Sequence, residues 1–567
     1  MPDGIDFRPD PLQTTEPGDK PLIYLVNPWH HEIPEDGYMP PPSDCLGMNY
    51  IAAVLRQDGH DVAMCDAYIT REKPGAIADK IYAHAGRRPL ILGFSFMCPS
   101  QLDHAEVIVE GLRRRGATLR HVMAGGQFAA TCHKSLLENY PSIFDSVVHG
   151  EAEHTARELV AALSNGAPWQ GVPGVASRGA DGIIFQRRHE NPELESLPWP
   201  ARDTLPELRA HDGVANIDTS RGCESNCTFC MSREILRHTA SKERWRSRSP
   251  ADVVSEMAWI KRTSGIDCFN FTDENTIGNI DHRDRLYALA DEIENRGLEI
   301  QFNTYVRAQD VDEDLIRRLH EVGLASVFIG IESFWQPTLD RLNKRVSVQE
   351  NLDAIRKIRG IEGLRFYFGL MTFHPWVTIE EIRHNLRVLR EEVLGIPLTG
   401  PEMLKRLLQV MLIYKGTPSY MMAKRDGLIR QESAFDQGPC TYVLPEQPLR
   451  LLRFIKTALM HLMQPQHKLF LAATARENAA DPALQQAVWE LNCRVERHIL
   501  DATDRFALAL EEEADDTALQ QIGEESLART DALVEAIAGT DLGDARARRN
   551  VDQPDAHFLG ETERVGA

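Results

Sequence analysis

Three cysteines set the chemistry that this chain can perform. Cys223, Cys227 and Cys230 lie in the run T-S-R-G-C-E-S-N-C-T-F-C-M, residues 219–231, at the spacing C-x3-C-x2-C. Three thiolates on one tight loop can converge on one side of an iron–sulfur cube. A four-iron cluster is ordinarily held by four cysteines, and three leave one iron open to an exchangeable ligand. Two other readings stand beside this one. A structural zinc ion asks for a fourth Cys or His, and His238, eight residues beyond Cys230, is the nearest downstream candidate. Plain structural thiols or a disulfide are the other. The triplet follows a short alternating apolar run, residues 214–218, and matching strand motifs come after it, which favours the cluster.

Composition bounds the setting. The 567 residues leave room for two to four domains. With 43% hydrophobic and 26% charged residues the chain reads as an ordinary globular protein. No apolar run reaches the roughly 18 residues of a membrane span, and the start M-P-D-G-I-D-F-R-P-D lacks the regions of a signal peptide. Ten cysteines do not make a disulfide scaffold at this length, and an oxygen-sensitive cluster suits a reducing compartment, so a cytoplasmic enzyme is expected. A net charge of −21 argues against a general nucleic-acid binder, which carries a basic stripe. Neither a nucleic-acid nor a membrane partner is expected.

The elements that must hold the cysteine loop come in two alternating series. After a polar, flexible lead-in (1–19), strand patterns at 22–26, 61–65, 90–96, 121–124 and 146–149 alternate with helical ones at 47–58, 76–85, 101–115, 134–139 and 153–165. This predicts a doubly wound, Rossmann-like α/β domain over 20–165. Such sheets bind ligands beyond the carboxyl ends of their strands. The loops there hold Ser95 and Met97, then Gly125, Gly126 and Gln127 running on to Thr131, then Gly150 and Glu151. A glycine pair admits a bulky ligand close to the backbone. Residues 166–212 are rich in proline and read as a linker, with one hairpin around 179–182.

Beyond it, strands at 214–218, 268–272, 299–304, 326–331, 364–370 and 407–413 predict a partial (β/α)6 barrel over 213–420. Barrel chemistry sits at the carboxyl ends of the strands. Those ends carry Asp273 and Glu274, Tyr305 and Arg307, Gly330-Ile331-Glu332-Ser333 with Asn343-Lys344 after it, His374, and Tyr414. Tyr305, Tyr367, His374 and Tyr414 are the candidate proton donors or acceptors, with packing as the alternative role of each. Helical patterns at 447–463, 482–510 and 517–538 make a helical C-terminal domain over 421–540, and 541–567 is expected to be a disordered tail.

The cysteine spacing, with Phe229 between the last two cysteines, resembles the radical S-adenosylmethionine (SAM) superfamily. The ordered serine and glycine loops of the first domain resemble the cobalamin-binding domain that precedes the barrel in many of its members. The resemblance spans about residues 20–420. It implies a 4Fe-4S cluster on Cys223, Cys227 and Cys230, whose open iron SAM chelates before cleavage to a 5′-deoxyadenosyl radical. SAM contacts are implied at Phe229, Asp273, Glu274, Arg307, Gly330, Glu332 and Ser333. The alternatives are a helix cap for Asp273 and a salt bridge to Lys344 or Arg345 for Glu332. Cobalamin contacts are implied at Ser95, Met97, Gly125, Gly126, Gln127, Thr131, Gly150 and Glu151. The D-x-H-x-x-G motif is missing: His30 and His31 lack its Asp and Gly spacing, so no histidine on cobalt is expected.

As the resemblance implies it, the enzyme is a cobalamin-dependent methyltransferase. It moves a methyl group from SAM through methylcobalamin to an unactivated carbon, with phosphorus as second choice, of a small-molecule or peptide natural-product precursor. An electron donor such as flavodoxin or ferredoxin is implied. The alternative is cyclisation, ring contraction or oxidation without net methylation.

Overall fold

The computed structural model describes residues 20–29, 41–232, 244–278, 282–394, 402–474 and 482–540. His30, His31, His238, the lead-in and the tail beyond 540 lie outside the described residues. The chain divides into two compact units, Met1–His31 with Gly47–Arg187, and Glu32–Leu46 with Arg188–Ala567.

The first unit is built on seven strands: β1 (Leu22–Asn27), β2 (Val62–Asp66), β3 (Leu90–Ser95), β4 (Leu119–Gly125), β5 (Ser146–Val148), β6 (Val175–Gly179) and β7 (Gly182–Phe185). Their order is β2-β1-β3-β4-β5-β6-β7. The first five run parallel. β1 is buried along its whole length and β3 along all but its last residue, as parallel strands covered on both faces must be. Helices Pro74–Ala85, Leu102–Arg114 and Glu153–Asn165 each turn an apolar stripe inward. The doubly wound expectation holds. The stretch read as linker differs: β6 pairs antiparallel with β5, and β7 with β6, so the sheet runs past residue 165. Val175 and Ala176 are fully buried and carry the hydrophobic face onward.

The second unit contains β8 (Ala215–Ile217), β9 (Ser220–Gly222), β10 (Trp245–Ser247), β11 (Cys268–Phe271), β12 (Gln301–Arg307), β13 (Leu324–Glu332), β14 (Arg365–Leu370), β15 (Ile413–Tyr414), β16 (Ile429–Gln431) and β17 (Pro439–Tyr442). Its main sheet is parallel, in the order β14-β13-β12-β11-β8. The outward face is apolar: Phe269, Phe271, Phe302, Val327, Ile329, Phe366 and Phe368 are at most 1% exposed. Phe271 and Phe302 stack at 4.8 Å. They share a seam with Leu286 and Leu289 of helix Arg283–Asn295 and with Ile316 and Leu319 of helix Glu313–Glu321.

The sixth barrel strand is the main correction. Residues Glu402–Leu408 are helical, and the expected strand shrinks to one parallel bridge between Phe373 and Val410. β15 joins a separate antiparallel sheet, β15-β17-β16. The run L-L-Q-V-M-L-I at 407–413 is apolar almost throughout, so periodicity cannot separate helix from strand there.

Residues 41–46 belong to this unit for a visible reason. Ser43 bridges Val214, and Asp44 accepts the Asn216 N–H at 2.8 Å. Arg202, almost fully buried, spans Asp44 at 2.5 Å and Glu256 at 2.6 Å, and Glu256 meets Arg248 at 2.7 Å. Helices Glu446–Ala458, Pro482–Glu511 and Asp516–Ala538 form the C-terminal part. Phe454 stacks on Phe506 at 4.2 Å, and Arg383–Asp504 and Arg390–Asp501 pairs, both 3.1 Å, fix helix Pro482–Glu511 to the segment after β14. Among the described residues no helix is long and apolar enough to cross a membrane.

Candidate active site

The cysteine loop leaves the carboxyl end of β8 and is fastened on every side. Asp273, 2% exposed, accepts from the Thr219 and Ser220 amides at 2.8 and 3.1 Å, from Ser220 Oγ at 2.8 Å, and from the Thr219 hydroxyl. Glu274 accepts the Gly222 N–H at 2.8 Å. Gly222 has φ +94°, and a Cβ there would overlap the Arg244 carbonyl, so only glycine closes this turn. On the far side, the Thr228 N–H donates to Leu342 O at 2.9 Å, Asn343 Nδ2 to Asn226 O at 2.8 Å, and the Ser419 N–H to Thr228 O at 3.0 Å.

All three cysteines carry free thiols, which removes the disulfide reading. Cys227 is 8% exposed and the other two are half-buried. Among the described residues no three His, Cys, Asp or Glu side chains converge on one metal ion. A cube holds each thiolate on a different iron, so its ligands surround a body and need not meet at a point. The charges fit as well. The Lys344 ammonium acts on Cys227 and Cys230, and the Arg307 guanidinium on Cys223. Burial pushes the Cys227 thiol up to about 11, against the pull of Lys344. Cluster iron binds the thiolate and so drives off this proton.

Above the loop, Arg307, Gly330 and Gly369 stand in register across β12, β13 and β14. The register slips between Gly330 and Glu332, and Glu332 sits at φ +68°. Non-glycine residues in this region cluster at functional sites. Its Oε1 lies 2.9 Å from Lys344 Nζ. A Cβ on Gly330 would stand 2.7 Å from that Nζ, and one on Gly369 3.3 Å from Glu332 Oε2. The two glycines therefore keep a low wall around the ion pair. Arg307 pairs with Asp310 at 3.2 Å.

Several candidates turn out to do other work. Asp273 is neither at the mouth nor a helix cap; it braces the start of the loop, as Glu274 does through Gly222. Ser333 is fully buried, with its Oγ donating to Glu381 and accepting from the Trp335 N–H. His374, 1% exposed, accepts the Trp376 N–H on Nδ1 at 3.3 Å and faces Glu381 and Thr338 with Nε2. Both ring nitrogens are engaged, which makes it a positioning group. Tyr414 belongs to the antiparallel sheet. Tyr305 and Tyr367 flank Phe328 on the inner face of the parallel sheet, and Phe229 is half-buried on the cysteine loop. Of the two partners expected for a Glu332 salt bridge, Lys344 and Arg345, Lys344 forms it.

In the first unit the strand order 2-1-3-4-5 places the switch point at the carboxyl ends of β1 and β3. Ser95, Met97, Gly125 and Gly126 meet there. Gly126 has φ +86°, and a Cβ would lie 2.5 Å from Phe96 O and 2.7 Å from Phe96 N. Phe96 N donates to Gly125 O and Phe128 N to Phe96 O, which joins the two loops. Met97 is 49% exposed among the described residues, and Gln127 is exposed too. Gly150 (φ +67°) and Glu151 follow β5. The bare glycines and the exposed Met97 leave this end of the sheet open to a ligand. Thr131 does not face it: its hydroxyl donates back to Gln127 O and Phe128 O within its own helix. Gln101, missed in the sequence, holds the rim. Its side chain donates to Asn27 Oδ1 and Pro28 O, at 3.2 and 2.7 Å, and accepts the Met97 and Cys98 amides at 2.6 and 3.2 Å. No local pattern marks a glutamine that reaches across 74 residues.

Residues 217–389 match the radical SAM superfamily and residues 42–160 the B12 binding domain. Anaerobic magnesium-protoporphyrin IX monomethyl ester cyclase of Synechocystis sp. is 29% identical over 385 residues, 64% of this chain and 70% of that one. Cytidylyl-2-hydroxyethylphosphonate methyltransferase of Streptomyces wedmorensis is 24% identical over 481 residues, 73% of this chain and 86% of its own. The fold is that of the cobalamin-dependent radical enzyme OxsB, solved with aqua-cobalamin and SAM: TM-score 0.74, 17% identity, 96% of this chain and 83% of that one. The chain belongs to the radical SAM superfamily, as a cobalamin-dependent enzyme whose B12 binding domain precedes the domain that carries the cluster cysteines.

Proposed function

We propose that the enzyme is a methyltransferase, moving a methyl group from SAM by way of cobalamin to an unactivated carbon of a small-molecule or peptide precursor. The observation that carries this reading is the likeness to the phosphonate methyltransferase, which extends over 73% of this chain and 86% of that one. When bound, the cluster with SAM supplies radical hydrogen abstraction and cobalamin supplies the methyl carrier.

The protein's own part is to bind, orient and shield. Cys223, Cys227 and Cys230 hold three corners of the cluster, and Asp273, Glu274 and Asn343 fix their loop. Arg307 would take the SAM carboxylate, and Glu332 the ribose hydroxyls, over the low wall of Gly330 and Gly369. Ser95, Met97, Gly125, Gly126, Gln127, Gly150 and Glu151 line the cobalamin cradle. An electron donor such as flavodoxin or ferredoxin completes the system.

Likeness to the cyclase favours a second reading, radical chemistry without net methylation. Anaerobic reconstitution with iron, sulfide, hydroxocobalamin, SAM and reductant separates the two. Methylation yields both 5′-deoxyadenosine and S-adenosylhomocysteine in the presence of acceptor. Deoxyadenosine alone, with cobalamin bound, selects the second reading.

A further inference from the structure

The inner face of the five-stranded parallel sheet is polar from edge to edge. In register, Asn216, Asn270, Asn303, Ser326 and Arg365 form one row across β8, β11, β12, β13 and β14. Tyr305, Phe328 and Tyr367 form the next, and Arg307, Gly330 and Gly369 the one at the carboxyl ends. Closed (β/α)8 barrels fill this space with Val, Ile and Leu; here Phe328 is the lone hydrocarbon side chain in the three rows.

The face is open along β12. Along β12, Asn303, Tyr305 and Arg307 keep partial exposure, whereas Phe302, Thr304 and Val306 between them are at most 4% exposed. Within the lower row, Asn270 Nδ2 donates to Asn216 Oδ1 at 2.8 Å, and Asn216 Nδ2 donates to Asp44 O at 2.6 Å. Asn270 Oδ1 is enclosed and has no hydrogen-bond partner. An enclosed carbonyl without a donor costs about 1–3 kcal/mol.

We propose that Asn270, with Asn303 beside it, determines acceptor specificity by hydrogen-bonding a molecule inside the barrel. That acceptor is polar and water-soluble, bearing N–H or O–H donors. A hydrocarbon in the same space would strip water from the amide row and return no hydrogen bond. This rests on the methyl-transfer reading above.

The test incubates the anaerobically reconstituted full chain, with deuteromethyl SAM, against two extracts of the producing cells, one aqueous and one hexane-soluble. The label is expected in a product of the aqueous extract. Asn270→Leu and Asn303→Leu should each cut that labelling at least about tenfold, since the site then lacks a matched polar group. The melting temperature of Asn270→Leu should stay within a few degrees, because relief of its unpaired carbonyl offsets the lost hydrogen bond to Asn216. Label confined to the hexane extract overturns the inference and leaves methyl transfer standing. Deoxyadenosine formation driven by the aqueous extract without label overturns methyl transfer and supports the polar acceptor. Should neither extract raise either product, the melting temperature decides. A fall of several degrees in Asn270→Leu makes the row a part of the framework and overturns the inference; a level or raised value supports it.

Discussion

Lys344 Nζ lies 2.9 Å from Glu332 Oε1, and the same ammonium acts on Cys227 and Cys230. One buried cation thus faces both the loop that would hold the cluster and the carboxylate proposed for the SAM ribose. Reduction adds a negative charge to a cluster, and nearby charge sets its potential. Lys344→Met should therefore shift the midpoint to more negative values. About tenfold less reduced cluster at a fixed potential corresponds to about 59 mV for one electron. Lys344→Arg should recover most of it. Redox-poised EPR reads the outcome, and an unchanged midpoint in Lys344→Met would count against this role.

At Gly126 the loop that would face cobalamin tolerates no side chain. At φ +86° a Cβ would press on the Phe96 backbone, and strain of this kind costs about 1–3 kcal/mol before the clash is added. Gly126→Ala should retain cobalamin at least roughly tenfold more weakly, a factor equal to about 1.4 kcal/mol, with the cluster iron unchanged. Absorbance of bound cobalamin after gel filtration measures it. Full retention would remove the cradle from these loops.

Arg202 is held between Asp44 and Glu256, all three nearly inaccessible to water. Arg202→Met takes one cation from the buried Asp44 and Glu256 carboxylates and leaves Glu256 with Arg248 alone, and breaking a buried ion pair typically costs about 3–5 kcal/mol. The second unit should unfold at markedly lower denaturant, with residues 41–46 among the first to exchange amide protons. A shift within experimental scatter would mean that Arg248 alone neutralises Glu256.

His121 is 2% exposed, with Nε2 at 2.8 Å from Ser146 Oγ. Burial pushes its imidazole down to about 4 from 6.5, against the weaker pull of Asp145. A depressed histidine is neutral when folded, so its contribution to stability is present above pH 6.5 and is lost as the pH falls towards 4. The ceiling is about 3 kcal/mol. Denaturant midpoints of the first unit measured across this window should decline, and His121→Leu should flatten the decline. An equally steep decline in the variant would place the sensitive group elsewhere.

Much of the architecture is legible in the sequence, because alternation of apolar strands and amphipathic helices is a local signal. The five parallel strands of each main sheet fall within a few residues of their patterns. What escaped was set by distant pairing. The 407–413 run is apolar in every register but one and reads as either element. β6 and β7 extend the sheet only because β5 offers an edge. At the site, motif spacing singles out the cysteines and Glu332, but it cannot say which of two adjacent carboxylates looks inward. Asp273 and Glu274 both turn to backbone amides of the cysteine loop. Gln101 acts across a fold of chain that no window spans.

The central claim is that SAM is cleaved on a cluster held by Cys223, Cys227 and Cys230. It is tested most directly by measuring iron content and 5′-deoxyadenosine formation in the reconstituted chain and in Cys223→Ala, Cys227→Ala and Cys230→Ala. The wild type should hold about four irons, as a cubic cluster requires, and should form deoxyadenosine, and each variant should lose its turnover. Full deoxyadenosine formation in any one variant would contradict the account.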